Sequence, residues 1–374
     1  MPVSPSFSTG VIAAFAALGA TAASAQITIP TVFIGNSGNT GDTRVMTTDG
    51  TTGYGAVGHL YNIGTHEVTA GQYTAFLNAV ARTDTNGLYD PAMASAPFGC
   101  GIAQSGSSGN YTYSVNGLTV NRPVNHVTFW DAARFANWLH NGQPTGPQNG
   151  STTEDGAYTL TESGIAANTV VRNPGWQWAV SSEDEWYKAA YYKRGGTNAG
   201  YWLYPTGTDT LPGNDPADPS GNNANHYTGS GAYPIANPFF ITLVGEFQNS
   251  ASPFGTFDQG GNVWEWSDSI ISGTLRCFRG SSFSEFDVGR LPSDFRAGIA
   301  PVLEGIDLGF RVSQTTTCIG DLNGDNAVNT SDLTVLLSRF GTVVAPGGTG
   351  DFNHDGAVNT QDLTTLLARF GIAC

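Results

Sequence analysis

Three stretches of the chain place apolar residues at helical spacing directly behind a capping residue. Thr69 and Gln72 form a capping box, and Tyr73, Phe76, Leu77 and Val80 then fall on one face. Thr128 with Asp131 opens a second helix that carries Phe135, Trp138 and Leu139 and stops near Gly142. Ser182 with Glu185 opens a third, carrying Trp186, Ala189, Ala190 and Tyr191. The run 27–34 and the one ending at His66, Glu67 and Val68 read as extended, the first as an edge strand. Long Gly/Pro/Asn segments lie between, notably 195–234. Tyr201, Trp202, Tyr204, Tyr227 and Tyr233 recur along that segment, which marks packed loops. The pattern predicts an α+β domain low in regular structure.

A different pattern governs the end of the chain. Asp321, Asn323, Asp325, Asn329 and Asp332 recur 30 positions later as Asp351, Asn353, Asp355, Asn359 and Asp362. These are positions 1, 3, 5, 9 and 12 of an EF-hand-type loop, with Ala327 and Ala357 offering carbonyls at position 7. Gly356 takes the sharp turn, and Asn326 replaces it in the first loop. After each loop, 333–340 and 363–370 set Leu, Leu and Phe on one side of a helix. A small all-α module with two calcium ions is expected, its folding linked to the metal because crowded carboxylates repel without it.

Composition sharpens this picture. Charged residues are 12%, glycine is 49 of 374, and the net charge of −15 excludes nucleic acid or an anionic membrane as partner. Residues 1–25 read as a signal peptide, with an apolar run at 11–20 and an Ala23-Ser24-Ala25 cleavage site, so export is expected. No stretch is long and apolar enough to span a bilayer. Cys318 and Cys374 bracket the last module and are expected to form a disulfide. Cys100 and Cys277 either pair, the favoured reading, or remain separate thiols. The domains are thus 1–25, 26–317 and 318–374.

The segment 258–266, D-Q-G-G-N-V-W-E-W, concentrates chemistry. Asp258, Glu265 and the carbonyls of Gly261 and Val263 would make an oxygen cage for Ca²⁺; the alternative is a glycine turn entering a buried strand with no ion. The chain also carries T-H-E-V-T at 65–69, R-P-V-N-H-V-T at 122–128, S-S-E-D-E-W at 181–186, F-R-G-S-S-F at 278–283 and L-G-F-R-V at 308–312. In this order the blocks resemble the formylglycine-generating enzyme, or sulfatase-modifying factor, family. The resemblance implies a C-type-lectin-like fold and one Ca²⁺ on Asp258, Gly261, Val263 and Glu265.

It also implies a copper-dependent oxidase built on two cysteines. Here Glu285 and Arg290 occupy those positions, and 284–307 contains no cysteine. Soft thiolates select Cu(I) and oxygen-rich sites do not, so no copper and no catalytic residue are expected. The six histidines lack the spacing of a zinc site; His66 and His126 are read as structural, hydrogen-bonded by neighbouring backbone.

The final module resembles a type I dockerin, which implies a cohesin-like partner, recognition through Thr330, Ser331, Thr360 and Gln361, and two alternative docking orientations. The expected function is an exported, non-catalytic binding domain, with a glycan or peptide ligand, tethered by its dockerin. Alternatives are a formylglycine-generating or other oxidoreductase of the same family, and an accessory component of extracellular polysaccharide degradation.

Overall fold

The computed structural model describes residues 26–95, 98–228, 239–316, 320–323, 327–344, 348–353 and 355–371. Its strands are short: β1 (Thr31–Ile34), β2 (Tyr61–Gly64), β3 (Ile102–Ser105), β4 (Thr112–Val115), β5 (Trp178–Val180), β6 (Trp264–Ile271), β7 (Leu275–Arg279), β8 (Ala297–Ile299), β9 (Leu308–Phe310) and β10 (Val312–Thr315). One antiparallel sheet runs β1-β2-β10-β5, and a second runs β8-β7-β6-β9 with β6 and β9 parallel. β3 and β4 form a separate hairpin. A single residue, Arg311, separates β9 from β10, so the chain steps there from one sheet to the other.

The larger helices begin where the capping residues place them. These are α1 (Ala70–Val80), the short α2 (Ala92–Ser95), α3 (Phe129–His140), α4 (Glu162–Ala167) and α5 (Glu183–Tyr191). Thr69 with Gln72, Thr128 with Asp131 and Ser182 with Glu185 all close reciprocal capping boxes. α1 and α3 meet through Phe76, whose ring centroid lies 5.3 Å from those of both Phe135 and Trp138. Trp264 and Trp266 are buried in β6 and pack on Phe278 of β7. The expected edge strand is β1. Tyr201 and Tyr204 are buried, so the loop from 195 is packed as its aromatics predict; Tyr233 lies outside the described residues.

Two expectations are corrected. Cys100 and Cys277 are both buried free thiols, not a disulfide. Cys277 is fixed in the middle of β7 opposite Gly298, while Cys100 sits just ahead of β3, so each fills a separate part of the core. The terminal helices α6 (Thr330–Ser338) and α7 (Thr360–Leu367) start three residues earlier than their apolar pattern suggests. The cause is Asn329 and Asn359, which cap them in boxes with Asp332 and Asp362. Among the described residues their fully buried core is Val328, Leu336, Val358 and Leu366, with Leu322, Leu333, Val344, Phe352 and Leu363 partly buried against it. Reciprocal 2.7 Å bonds, Gly341 N to Val358 O and Gly371 N to Val328 O, join the two halves.

A buried ionic knot holds the start of α5. Arg172 donates to both oxygens of Glu185 (2.8 and 3.0 Å) and to Asp268 (2.8 Å), and His59 lies 2.9 Å from the same Glu185. Burial alone would raise the Glu185 carboxyl, but Arg172 and its hydrogen bonds outweigh burial and hold it well below its ordinary 4.5. Glu185 therefore stays ionised in the fold where an unfolded chain would protonate. The stability it supplies is complete above about pH 4.5 and is lost as pH falls further. We expect Glu185→Gln to lower the neutral-pH melting temperature and to flatten its fall between pH 5 and pH 3, both read by calorimetry. An unchanged slope would show that this knot is not what titrates.

Candidate functional site

The 258–266 segment is a tight turn feeding β6. Asp258 adopts a left-handed backbone (φ 61°), and Gly261 (φ 88°) packs so closely that a Cβ there would lie 2.2 Å from the Asn225 carbonyl. Only glycine fits that position. Two residues into β6, the Glu265 carboxylate receives Arg311 Nε (2.5 Å), Arg311 Nη2 (2.7 Å) and the Trp186 indole N–H (2.8 Å). Three of its roughly four acceptor positions are thus filled. Arg311 spends its remaining donors on the carbonyls of Gly64, Thr65 and Phe257.

Asp258 accepts from Gly245 N–H at 2.6 Å, and burial pushes its carboxyl up to about 6. Glu67 joins the cluster from the β2–α1 connection. It accepts from Asn262 Nδ2 at 3.0 Å, has no partner for its second oxygen among the described residues, and is raised well above its usual range by burial and then by Asp258. Val263 points into an apolar cluster with Ile241 and Phe283, and the Gly261 N–H bonds Gly280. Among the described residues no three His, Cys, Asp or Glu side chains are grouped to hold a metal ion. A calcium cage that counts on Glu265 does not fit this arrangement, because the planar guanidinium fork already matches that carboxylate in a dry interior. Sequence reasoning missed Glu67 as a member; its one signal was an acidic residue two positions ahead of the helix cap Thr69.

The positions matching the redox cysteines lie beyond β7. Ser282 and Ser284 both donate to Asp307 Oδ2 at 2.6 Å. Glu285 and Arg290 form a 2.9 Å ion pair at the surface, its arginine 43% exposed and its glutamate half-buried. Ser281 stands where the family has a second glycine and keeps a left-handed backbone (φ 66°), the conformation a glycine there would serve. Among the described residues neither His66 nor His126 receives a backbone bond at its ring. His66 instead stacks on Phe257, and His126 Nε2 is buried with no partner among them.

In the terminal module, Asp332 accepts from Leu322 N–H (2.7 Å) and Asn329 N–H (2.9 Å), and Asp362 repeats this with Phe352 and Asn359 at the same distances. One short carboxylate thus closes each loop and caps its helix. Asp351 accepts from Asp355 and Gly356. Asp321, Asn323, Ala327, Asn353 and Ala357 lie in the same two loops. Asp325, Cys318, Cys374 and residues 1–25 lie outside the described residues. Thr330, Ser331, Thr360 and Gln361 are exposed on the first turns of α6 and α7. The apolar pattern is split: Leu336 and Leu366 are buried, whereas Leu337 and Leu367 are 52% and 51% exposed, and Phe340 and Phe370 are 41% and 42% exposed.

The profile of the sulfatase-modifying factor enzyme 1-like domain matches residues 38–316. The chain belongs to this family. A type I dockerin domain follows at 319–370. No curated protein matches the chain. Among solved structures it is similar to CarF (20% identity over 77% of this chain and 99% of that one, TM-score 0.41). It is similar also to PvdO from Pseudomonas aeruginosa (20%, 77% and 92%, TM-score 0.42). A type II cohesin–dockerin domain from Bacteroides cellolosolvens matches 16% of this chain and 92% of its own at 34% identity, with a TM-score of 0.15. Membership gives the sulfatase-modifying factor-like domain the fold of its family, and a type I dockerin domain implies calcium binding and a cohesin partner. No helix among the described residues is long and apolar enough to cross a membrane.

In the sulfatase-modifying factor-like domain, the Arg311–Glu265 pair should behave as a buried pair that is costly to break. Arg311→Met is expected to cost about 3–5 kcal/mol in denaturant unfolding, with partial recovery in the double variant Arg311→Met/Glu265→Met. A single variant within about 1 kcal/mol of the parent would contradict this role.

Proposed function

We propose that the chain is an exported, non-catalytic binding protein, tethered to a cohesin-bearing scaffold by its calcium-loaded dockerin. The observation that carries the reading is the Glu285–Arg290 ion pair at the positions of the copper-binding cysteines. Hard charges at that place cannot hold Cu(I), and the buried thiol of Cys277 has no partner thiol within the described residues. Export rests on the leader-like 1–25 and agrees with the extracellular or cell-surface setting that a dockerin implies.

In the dockerin, Asp321, Asn323, Asp325, Ala327, Asn329 and Asp332, and their repeats Asp351, Asn353, Asp355, Ala357, Asn359 and Asp362, are the ligands of two calcium ions. Cohesin meets Thr330, Ser331, Thr360 and Gln361, flanked by the exposed Leu337, Phe340, Leu367 and Phe370. The near-equal exposure of those repeated side chains supports two docking orientations related by the internal repeat. A Cys318–Cys374 disulfide would close the module at both ends.

Two experiments test the reading. Removing calcium with EDTA should abolish cohesin capture and unfold 320–371 while most of 26–316 keeps its circular dichroism and protease resistance. Capture that persists in EDTA would overturn the tether. With copper and O₂ supplied, a Cys-x-Pro-x-Arg peptide should give no oxygen uptake above the peptide-free rate; turnover would restore the oxidase.

A further inference from the structure

A cavity of about 470 Å³ opens between residues 27–30, the β2–α1 connection, residues 120–121 and Val244, and none of Ser282 to Arg290 lines it. Its size suits a small-molecule site. Ile29, Pro30, Val120 and Val244 give it aliphatic walls; Thr28, His66, Thr69, Gln72 and Asn121 are its polar groups, and the Gln72 amide is already spent on Thr69 N–H and the Thr28 carbonyl. The His66 imidazole has no hydrogen-bond partner among the described residues and is fixed by stacking on Phe257 (5.5 Å between centroids, 23° between planes). Gly245 (φ 71°) makes room for it, since a Cβ there would lie 2.7 Å from Nε2. Burial, and then Arg311, lowers His66 to about 4, so the ring is neutral at physiological pH. Glu67 borders the cavity, but it is 2% exposed; one oxygen accepts from Asn262, the other has no partner among the described residues, and burial pushes the carboxyl towards its neutral form. The lining therefore offers a ligand no available charge.

Much of the backbone along this wall is already engaged. Ile27 donates its N–H to Gln143 Oε1 and its carbonyl accepts from Gln143 Nε2, the Thr28 carbonyl accepts from Gln72, and the Pro30 carbonyl accepts from Thr65. Recognition then falls chiefly to side chains. We infer that this cavity binds a small, uncharged, mainly aliphatic molecule carrying an amide, carbonyl or hydroxyl group that hydrogen-bonds His66. The inference rests on the reading of the larger domain as a binder and names the ligand class it takes.

Three isosteres of one shape test it on the full chain with calcium present: isovaleramide, isovalerate and isoamylamine. Calorimetry should show saturable binding of isovaleramide, with the anion and the cation at least about tenfold weaker because neither finds a counter-charge. His66→Ala should weaken isovaleramide about tenfold, the loss of one hydrogen bond. Val244→Trp, which fills the space, should abolish binding with circular dichroism unchanged. Should that variant not fold, methyl resonances decide: Ile27, Ile29, Val120 and Val244 should shift on titration of the parent protein. No saturation, equal binding of the charged isosteres, or shifts confined to other methyls would overturn the inference. Binding of N-acetylglucosamine or an extended peptide here in place of isovaleramide would overturn it too. The broader reading is judged separately, by cohesin capture and oxygen uptake.

Discussion

One guanidinium holds the larger domain together. Arg311 occupies the single-residue step between β9 and β10, is wholly buried, and satisfies its N–H donors on Glu265 in β6, on the end of β2 and on the loop before the 258–266 turn. A lysine in that place would offer a point charge and could not reach acceptors on three segments in one plane. A hydrophobic pair of similar volume could be equally stable, yet it would not require β6 to lie beside β9 in one register. The same bond set explains why Glu265, whose acidity suggests a cation ligand, works instead as the partner of Arg311.

The low charge content of the sequence acquires a structural meaning from this. Many of the few charged residues lie inside, in pairs. Glu183 takes Arg279 and Arg296, and Arg296 reaches Asp49, tying the 42–55 loop to the second sheet. Elsewhere the loops are ordered by asparagine acting as a surrogate backbone. Asn137 donates to the carbonyls of Thr153 and Tyr158 and accepts the Tyr158 N–H, as a neighbouring strand would. A chain with short strands satisfies its buried backbone groups this way, which is why Asn and Gly dominate where Lys and Glu are sparse.

What the sequence disclosed follows from the range of each interaction. Capping boxes span three residues, and the duplicated loops repeat at a fixed interval, so α1, α3, α5 and the dockerin were legible. Glu67 meets Asn262 across 195 positions, and Arg311 meets Glu265 across 46. Nothing in local spacing announces such partners. Burial was misjudged for the same reason. Leu336 and Leu337 are adjacent and chemically identical, and only the docking of the two half-modules decides which one is covered. The free thiols of Cys100 and Cys277 repeat the lesson, since an even cysteine count says nothing about distance.

The two modules divide their labour according to what stabilises each. Among its described residues the dockerin fully buries four aliphatic side chains and half-buries five more apolar ones, a small return against the entropy of ordering a segment of that length. Its remaining cohesion must come through Asp332, Asp362 and the loop carboxylates, and those repel one another unless a cation sits among them. The larger domain is built the other way: aromatic clusters fill its core, and buried carboxylates such as Glu183, Glu185 and Glu265 face arginine. A calcium-dependent tether on a body with so large a core can be released by loss of calcium while most of what it carries stays folded. That asymmetry suits a domain delivered to a scaffold, and it arises from where each module places most of its carboxylates: against arginine in one, against one another in the other.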